Sequence, residues 1–188
     1  MKGKTKNLAL CGLCAALTCV LAPLSIPIGQ VPISLATFAV MLSAALLGAK
    51  WGVLSQVVYL LLGCIGVPVF AGFSAGVGCI AGPTGGYLLG YLVLAAAEGL
   101  LYHLLGSGKR MGKKSAALVV SMLVGTAALY TLGSCWFILV THTPLQAALL
   151  TCVVPFLPGD AVKIAAVTVL VPQLERALGH LDHGRQTA

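Results

Sequence analysis

At 188 residues the chain has the length of one ordinary domain, yet 59% of it is hydrophobic and only 8% is charged. A soluble domain carries about a quarter charged residues, so a water-soluble globule is excluded and a polytopic membrane protein is implied. The net charge of +7 falls between apolar runs and not in patches on a polar body, which points to membrane orientation and away from nucleic acid as a partner.

The first apolar segment, about residues 8–24, follows Lys2, Lys4 and Lys6 as a secretory signal would. No Ala-x-Ala-like cleavage site with a polar mature domain comes after it, so it reads as a retained first helix. Cys11, Ala15 and Cys19 stand four apart on one line of this helix, with Gly12 and Ala16 beside it. Such small-residue lines let helices approach closely in lipid, either within the protein or at a docking face for a partner.

Pro23, Pro27 and Pro32 then bracket Ser25, Gly29, Gln30 and Ser34, a stiff non-helical lid. The second and third segments, about 33–47 and 51–65, are short for a span of roughly 20 residues and meet at a turn near Lys50. The loop that follows holds Gly66, Gly72, Gly76, Gly78, Gly82, Gly85 and Gly86. It is too apolar for disorder, and is expected to fold over a pocket or to pack as tight turns.

The fourth segment, about 84–105, opens with Thr84 and carries Tyr87 and Tyr91 on one face, where rings and hydroxyls suit a ligand or core packing. Glu98 lies late in it and is expected to reach the interface and meet the basic stretch from Lys109 to Lys114; a proton relay is the other use of such a carboxylate. The fifth segment is about 116–140. A short interfacial helix near 143–154 is expected, with Thr143 as N-cap and Pro144 at its first position.

The sixth segment, about 158–174, begins Pro158-Gly159-Asp160-Ala161-Val162-Lys163. Asp160 and Lys163 share a helix face, and Asp160 sits in the first turn, where the helix dipole favours an anion. The pair is either a structural ion pair or a ligand clamp, and an empty site is compatible with both. Charge within a membrane segment argues for function.

Ten of the eleven basic residues fall in the N-terminus, the Lys50 turn, residues 106–115 and the C-terminal tail, and Lys163 is the exception. The outer connections hold none. The positive-inside rule therefore predicts an all-α integral membrane protein, a six-transmembrane-helix bundle in the cell membrane with both termini cytoplasmic. Residues 1–188 are expected to form a single membrane domain.

Catalytic motifs fail. Gly106-Ser107-Gly108-Lys109-Arg110 lacks the phosphate-loop spacing and has no preceding strand. The seven cysteines, an odd number in apolar segments, argue against a disulfide framework. Cys11-x-x-Cys14 lacks the context of a redox motif, and His103, His142, His180 and His183 form no metal-ligand spacing. The expectation is no enzyme, no metal and no cofactor.

Gly82-Pro83-Thr84-Gly85-Gly86-Tyr87-Leu88-Leu89-Gly90-Tyr91 and Pro155-Phe156-Leu157-Pro158-Gly159-Asp160-Ala161-Val162-Lys163 resemble the BioY family, the biotin-binding S components of energy-coupling factor (ECF) vitamin transporters. Gln30-Val31-Pro32-Ile33-Ser34 is similar to the family's first outer loop. The resemblance implies a vitamin held near the outer face, with a transmembrane coupling subunit and two ATPase subunits as partners. It implies ligand contacts at Asp160, Lys163, Tyr87 and Thr84, with Ser34 and Gln30 in the loop, and a docking face among Cys11, Gly12, Ala15, Ala16 and Cys19. Asp160 would take ureido N–H groups; Lys163 would take either the ureido carbonyl or the biotin carboxylate. A solitary biotin facilitator and a membrane thiol enzyme using Cys11 and Cys14 are the competing readings.

Overall fold

The computed structural model describes residues 2–26, 31–106 and 111–183. Its helices are α1 (Lys2–Leu21), α2 (Ala36–Cys64), α3 (Val77–Ala81), α4 (Gly85–Gly106), α5 (Met111–Thr141), α6 (Leu145–Cys152) and α7 (Leu157–His183). Five of them, α1, α2, α4, α5 and α7, are long and apolar enough to cross a membrane. Large apolar side chains such as Leu13, Val20, Leu123, Leu139, Val162 and Val169 point outward. A soluble protein cannot expose so much apolar surface, whereas lipid tails solvate it.

The 29 residues of α2 do not run straight. Gly48 has φ 74° and ψ 177°, and the chain reverses there. Gln56 Nε2 donates to Ser43 Oγ at 3.2 Å across thirteen residues, a separation that spans about 20 Å along a straight helix. A Cβ at Gly52 would lie 3.1 Å from the Cα of Ala44. The second and third predicted segments are therefore two antiparallel arms, residues 36–47 and 49–64. The break falls at Gly48, two residues before the predicted Lys50, because only glycine adopts that backbone conformation without strain.

A buried polar knot ties the arms to α1. The two hydrogens of the Gln56 amide are shared among Thr18 Oγ1 at 3.4 Å, Ser43 Oγ and Ser55 Oγ at 3.1 Å. Hydrogen bonds of this kind hold helices together where no hydrophobic force drives association. α4 packs on both α2 and α5. Gly99 makes the first contact possible, since a Cβ there would lie 2.3 Å from the Ala49 backbone nitrogen.

The bundle has two dissimilar ends. At the pocket end lie the starts of α4 and α7, α6 and the Gly-rich loop. At the turn end lie Gly48 and the ends of α4 and α7. Lys6 of α1 donates to the Leu178 carbonyl of α7 at 3.4 Å, which puts the start of α1 and the end of α7 together. The arms of α2 are about 18 and 24 Å long, shorter than a bilayer's hydrocarbon core. α4 overhangs their reversal, and a cavity of ≈ 270 Å³ opens below it.

The connections are more structured than their sequences suggest. The Pro-rich segment contains an antiparallel pair, β1 (Ser25–Ile26) and β2 (Ile33–Ser34). The Gly-rich loop holds a 3₁₀ turn at Ala71–Phe73 besides α3. The short helix near 143–154 is α6, but Pro144 is its N-cap, with ψ 148°, and not its first helical residue. Thr143 instead hydrogen-bonds the Thr141 hydroxyl at 2.7 Å. α7 continues through Pro172 to His183, beyond the predicted end at 174.

Gly48→Ala should cost about 1–3 kcal/mol of stability, because the reversal needs a conformation reserved for glycine. Gly12→Ala, where an added Cβ meets nothing within 4 Å, should change stability by less than about 0.5 kcal/mol. Thermal unfolding of both variants in detergent checks the pair.

Candidate functional site

Pro158 stands in the first turn of α7, where a missing N–H costs little. Asp160 and Lys163, one turn apart on the same face, are 3% and 7% exposed. Burying two charges is costly unless their bonding capacity is filled. Here three other elements fill the ammonium and occupy most of the carboxylate.

The Lys163 ammonium has three hydrogens and three acceptors: Asp160 Oδ1 at 2.9 Å, the Ser34 carbonyl at 2.8 Å and Thr37 Oγ1 at 2.8 Å. Thr37 in turn donates to Asp160 Oδ1 at 3.4 Å. The Tyr130 hydroxyl of α5 donates to Asp160 Oδ2. The pair thus ties α7 to β2, to the start of α2 and to α5. Ser34 is itself fixed: its hydroxyl donates to the Ala22 carbonyl at 3.0 Å and accepts from the Ala36 N–H at 2.8 Å.

On the other side of Ser34 is a cavity of ≈ 200 Å³. Its walls are the rings of Tyr59, Phe70, Tyr87 and Tyr91, the apolar Val31, Pro32 and Leu88, and the polar Ser34, Ser74 and Thr84. An apolar chamber with few polar groups is the usual form of a small-molecule site. Tyr59 meets Phe70 edge to face at 5.6 Å, and Tyr87 stacks on Phe156 at 6.4 Å. The Tyr87 hydroxyl donates to the Cys152 carbonyl at 3.1 Å, which docks α6 on α4. Thr84 Oγ1 donates to the Cys79 carbonyl at 3.4 Å. The Trp136 indole N–H holds the Gly82 carbonyl at 3.0 Å, fixing the end of the Gly-rich loop to α5.

Of the ligand residues read from the sequence, Ser34, Thr84 and Tyr87 line this cavity. Asp160 and Lys163 stand behind its Ser34 wall, and Gln30 lies outside the described residues. Three relevant side chains were not singled out by sequence reasoning: Thr37, Tyr130 and Tyr59. Tyr59 is fully buried, lines the cavity, and its hydroxyl has no hydrogen-bond partner among the described residues. A buried orphan hydroxyl is costly, and one in a cavity wall is suited to a ligand.

The small residues of α1 divide into two lines. Cys11 and Ala15 are buried and Cys19 is half-buried, while Gly12 and Ala16 face outward. Cys14 is also buried.

The BioY family model matches residues 1–180. A protein of Pyrococcus horikoshii described as a probable biotin transporter BioY is 37% identical over 92% of this chain and 98% of its own length. The biotin transporter BioY of Thermotoga maritima is 36% identical over 91% of this chain and 96% of its own. The crystal structure of an S-component for biotin from an ECF-type ABC transporter superposes with a TM-score of 0.82 at 30% identity, covering 93% of each chain. A second S component of a bacterial ECF transporter, 16% identical with a TM-score of 0.56, shares the fold.

Asp160→Ala should destabilise the protein by about 3–5 kcal/mol, because it leaves a buried ammonium without its counter-charge. Asp160→Ala with Lys163→Met should recover much of that loss. Tyr130→Phe should cost about 1.5–3 kcal/mol, the range for a hydrogen bond to a charged group. Chemical denaturation of the four proteins measures all three; a double variant no better than Asp160→Ala would contradict the network.

Proposed function

The chain belongs to the BioY family, and we propose that it is the biotin-capturing S component of an ATP-driven vitamin importer, a multi-pass protein of the plasma membrane. The observation that carries this reading is the aromatic cavity with its unpartnered Tyr59 hydroxyl, placed against the Asp160–Lys163 pair.

The bundle crosses the membrane six times, with both termini in the cytoplasm and the pocket end outside. The reversal of α2 at Gly48 supports an even count, and the Lys6–Leu178 contact supports termini on one side. The basic residues away from Lys163 belong to the termini and to connections at the turn end, as the positive-inside rule requires.

Biotin combines a ureido ring, an apolar thiophane and chain, and a carboxylate. Its apolar parts suit the cavity rings. Its ureido carbonyl replaces the Ser34 carbonyl on Lys163, an exchange of one amide-type acceptor for another that keeps all three ammonium hydrogens bonded. Asp160 Oδ2, which takes one bond from Tyr130, accepts a ureido N–H with its remaining capacity. Tyr59, Ser34, Thr84 and Tyr87 surround the rest, and the Pro-rich and Gly-rich segments cover it. Gln30 remains a candidate contact on its resemblance alone.

Energy comes from partners: a transmembrane coupling subunit and two ATPase subunits of an ECF module. The outward Gly12–Ala16 line of α1 is the part of the small-residue face open to such a subunit, with Cys11, Ala15 and Cys19 turned toward the protein's own helices. The chain acts as a carrier and not as an enzyme.

Titration of biotin into the purified chain should give saturable one-to-one binding. Tyr59→Phe should weaken it by about 0.5–1.5 kcal/mol, roughly two- to tenfold; undiminished affinity would remove Tyr59 from the contact set. If Lys163 holds the ureido carbonyl, Lys163→Ala should cost the same factor for biotin and for biotin methyl ester. A penalty that vanishes with the ester would place Lys163 on the carboxylate instead.

A further inference from the structure

Glu98 takes no part in the pocket-end site. Its side chain is 0% exposed, and among the described residues neither carboxyl oxygen has a hydrogen-bond partner. It does not reach the membrane surface, as the basic stretch after α4 had suggested. Glu98 lies about 12 Å from the turn end of α4 and about 20 Å from its pocket end, too deep for so short a side chain. It is also the one acidic residue of α4.

Its surroundings are apolar and tight. A Cβ at Gly125 of α5 would sit 3.4 Å from the Cβ of Glu98 and 3.2 Å from the Leu94 carbonyl. The neighbouring Gly99 packs on the Gly48–Ala49 backbone. Thr126, the residue after Gly125, has a buried hydroxyl that likewise finds no hydrogen-bond partner among the described residues. Toward the turn end the titratable groups on the surrounding elements include Tyr102 and His103 on α4, Lys50 past the α2 reversal, Lys113 and Lys114 on α5 and Glu175 on α7; toward the pocket end they include Tyr91 on α4, Tyr59 on α2 and Tyr130 on α5. Tyr102 donates to Glu175 at 3.1 Å, and no basic side chain among the described residues bonds the Glu98 carboxyl. An ionised carboxylate in this place would be a buried charge without compensation, whereas the neutral acid is compatible with it.

Placement gives the group a route. Tyr91, seven residues earlier and on the same face of α4, lines the pocket-end cavity. Tyr102, four residues later, lines the turn-end cavity together with Gly99, His103, Lys114 and Glu175. Glu98 therefore stands between the two cavities, one residue from the wall of the second.

We propose that Glu98 is a proton-binding site within the membrane, occupied in this form of the bundle and exchanging with water through the turn-end cavity. The site is for a proton and not a metal ion, since no cluster of ligating side chains surrounds the carboxyl among the described residues. It does not depend on what the pocket end holds.

The chain has four side-chain carboxyls, of Glu98, Asp160, Glu175 and Asp182, so only two are glutamates. Carboxyl-¹³C glutamate therefore marks Glu98 and Glu175 alone. The measurement is infrared spectroscopy of the labelled full chain in lipid at neutral pH, where a solvated glutamate is ionised by more than about 100-fold. One protonated-carboxyl band carrying the isotope shift should appear and should move on exchange into D₂O. It should vanish in Glu98→Gln and persist in Glu175→Gln. Absence of the labelled band in the unmutated chain, a band that does not exchange, or a band lost only in Glu175→Gln would each overturn the proposal. The first two readouts need no substitution, so a misfolded variant does not blunt the test.

Discussion

The Lys163 ammonium is the point on which the pocket end depends. It is a charge in a place where charge is expensive, and its three hydrogens are all occupied by acceptors from three separate parts of the chain. Through them α7 is tied to β2, to the first turn of α2 and to its own Asp160. Asp160 extends the tie to α5 through Tyr130. A pair saturated in this way steadies the empty bundle. On the proposed reading it also yields one bond to a ligand that offers an equivalent acceptor, which would make the structural and ligand-binding uses of the pair two states of one network.

The length of α2 sets the rest of the geometry. Both arms are shorter than the other long helices, so the reversal at Gly48 stops short of the ends of α4 and α7. The arms reach the pocket end, where Tyr59 and the loop after Cys64 build the aromatic chamber. At the opposite end their shortness leaves the polar cavity around Tyr102 and Glu175. Glu98 occupies the dense region between the two, where glycines at 99 and 125 allow the backbones to close.

The apolar runs made the long membrane helices legible, because the cost of charge in lipid leaves few alternatives. The Asp160–Lys163 pair was legible for the same reason, and Thr84 and Tyr87 through the motif that contains them. Lys50 marked a polar turn, but the constraint that decides the break is a positive φ, and that belongs to Gly48. Thr37 and Tyr130 were not legible: they meet Asp160 from 123 and 30 residues away, and no local pattern encodes that. Tyr59 looks like any core aromatic until its hydroxyl is seen to lack a partner inside a cavity wall. The depth of Glu98 was not legible, because the basic stretch beyond α4 offers an apparent partner and only the packing of α4 on α2 and α5 puts the carboxyl out of its reach.

The central claim is that the ligand is held in the aromatic chamber at the pocket end and not in the larger cavity at the turn end. Photo-crosslinking with a biotin analogue bearing a small diazirine, followed by mass spectrometry of the peptides, tests it most directly. The account predicts biotin-protected adducts in the segments that carry Ser34, Tyr59, Ser74 and Thr84 to Tyr91. Protected adducts confined to residues 45–48 and 99–106 would contradict it.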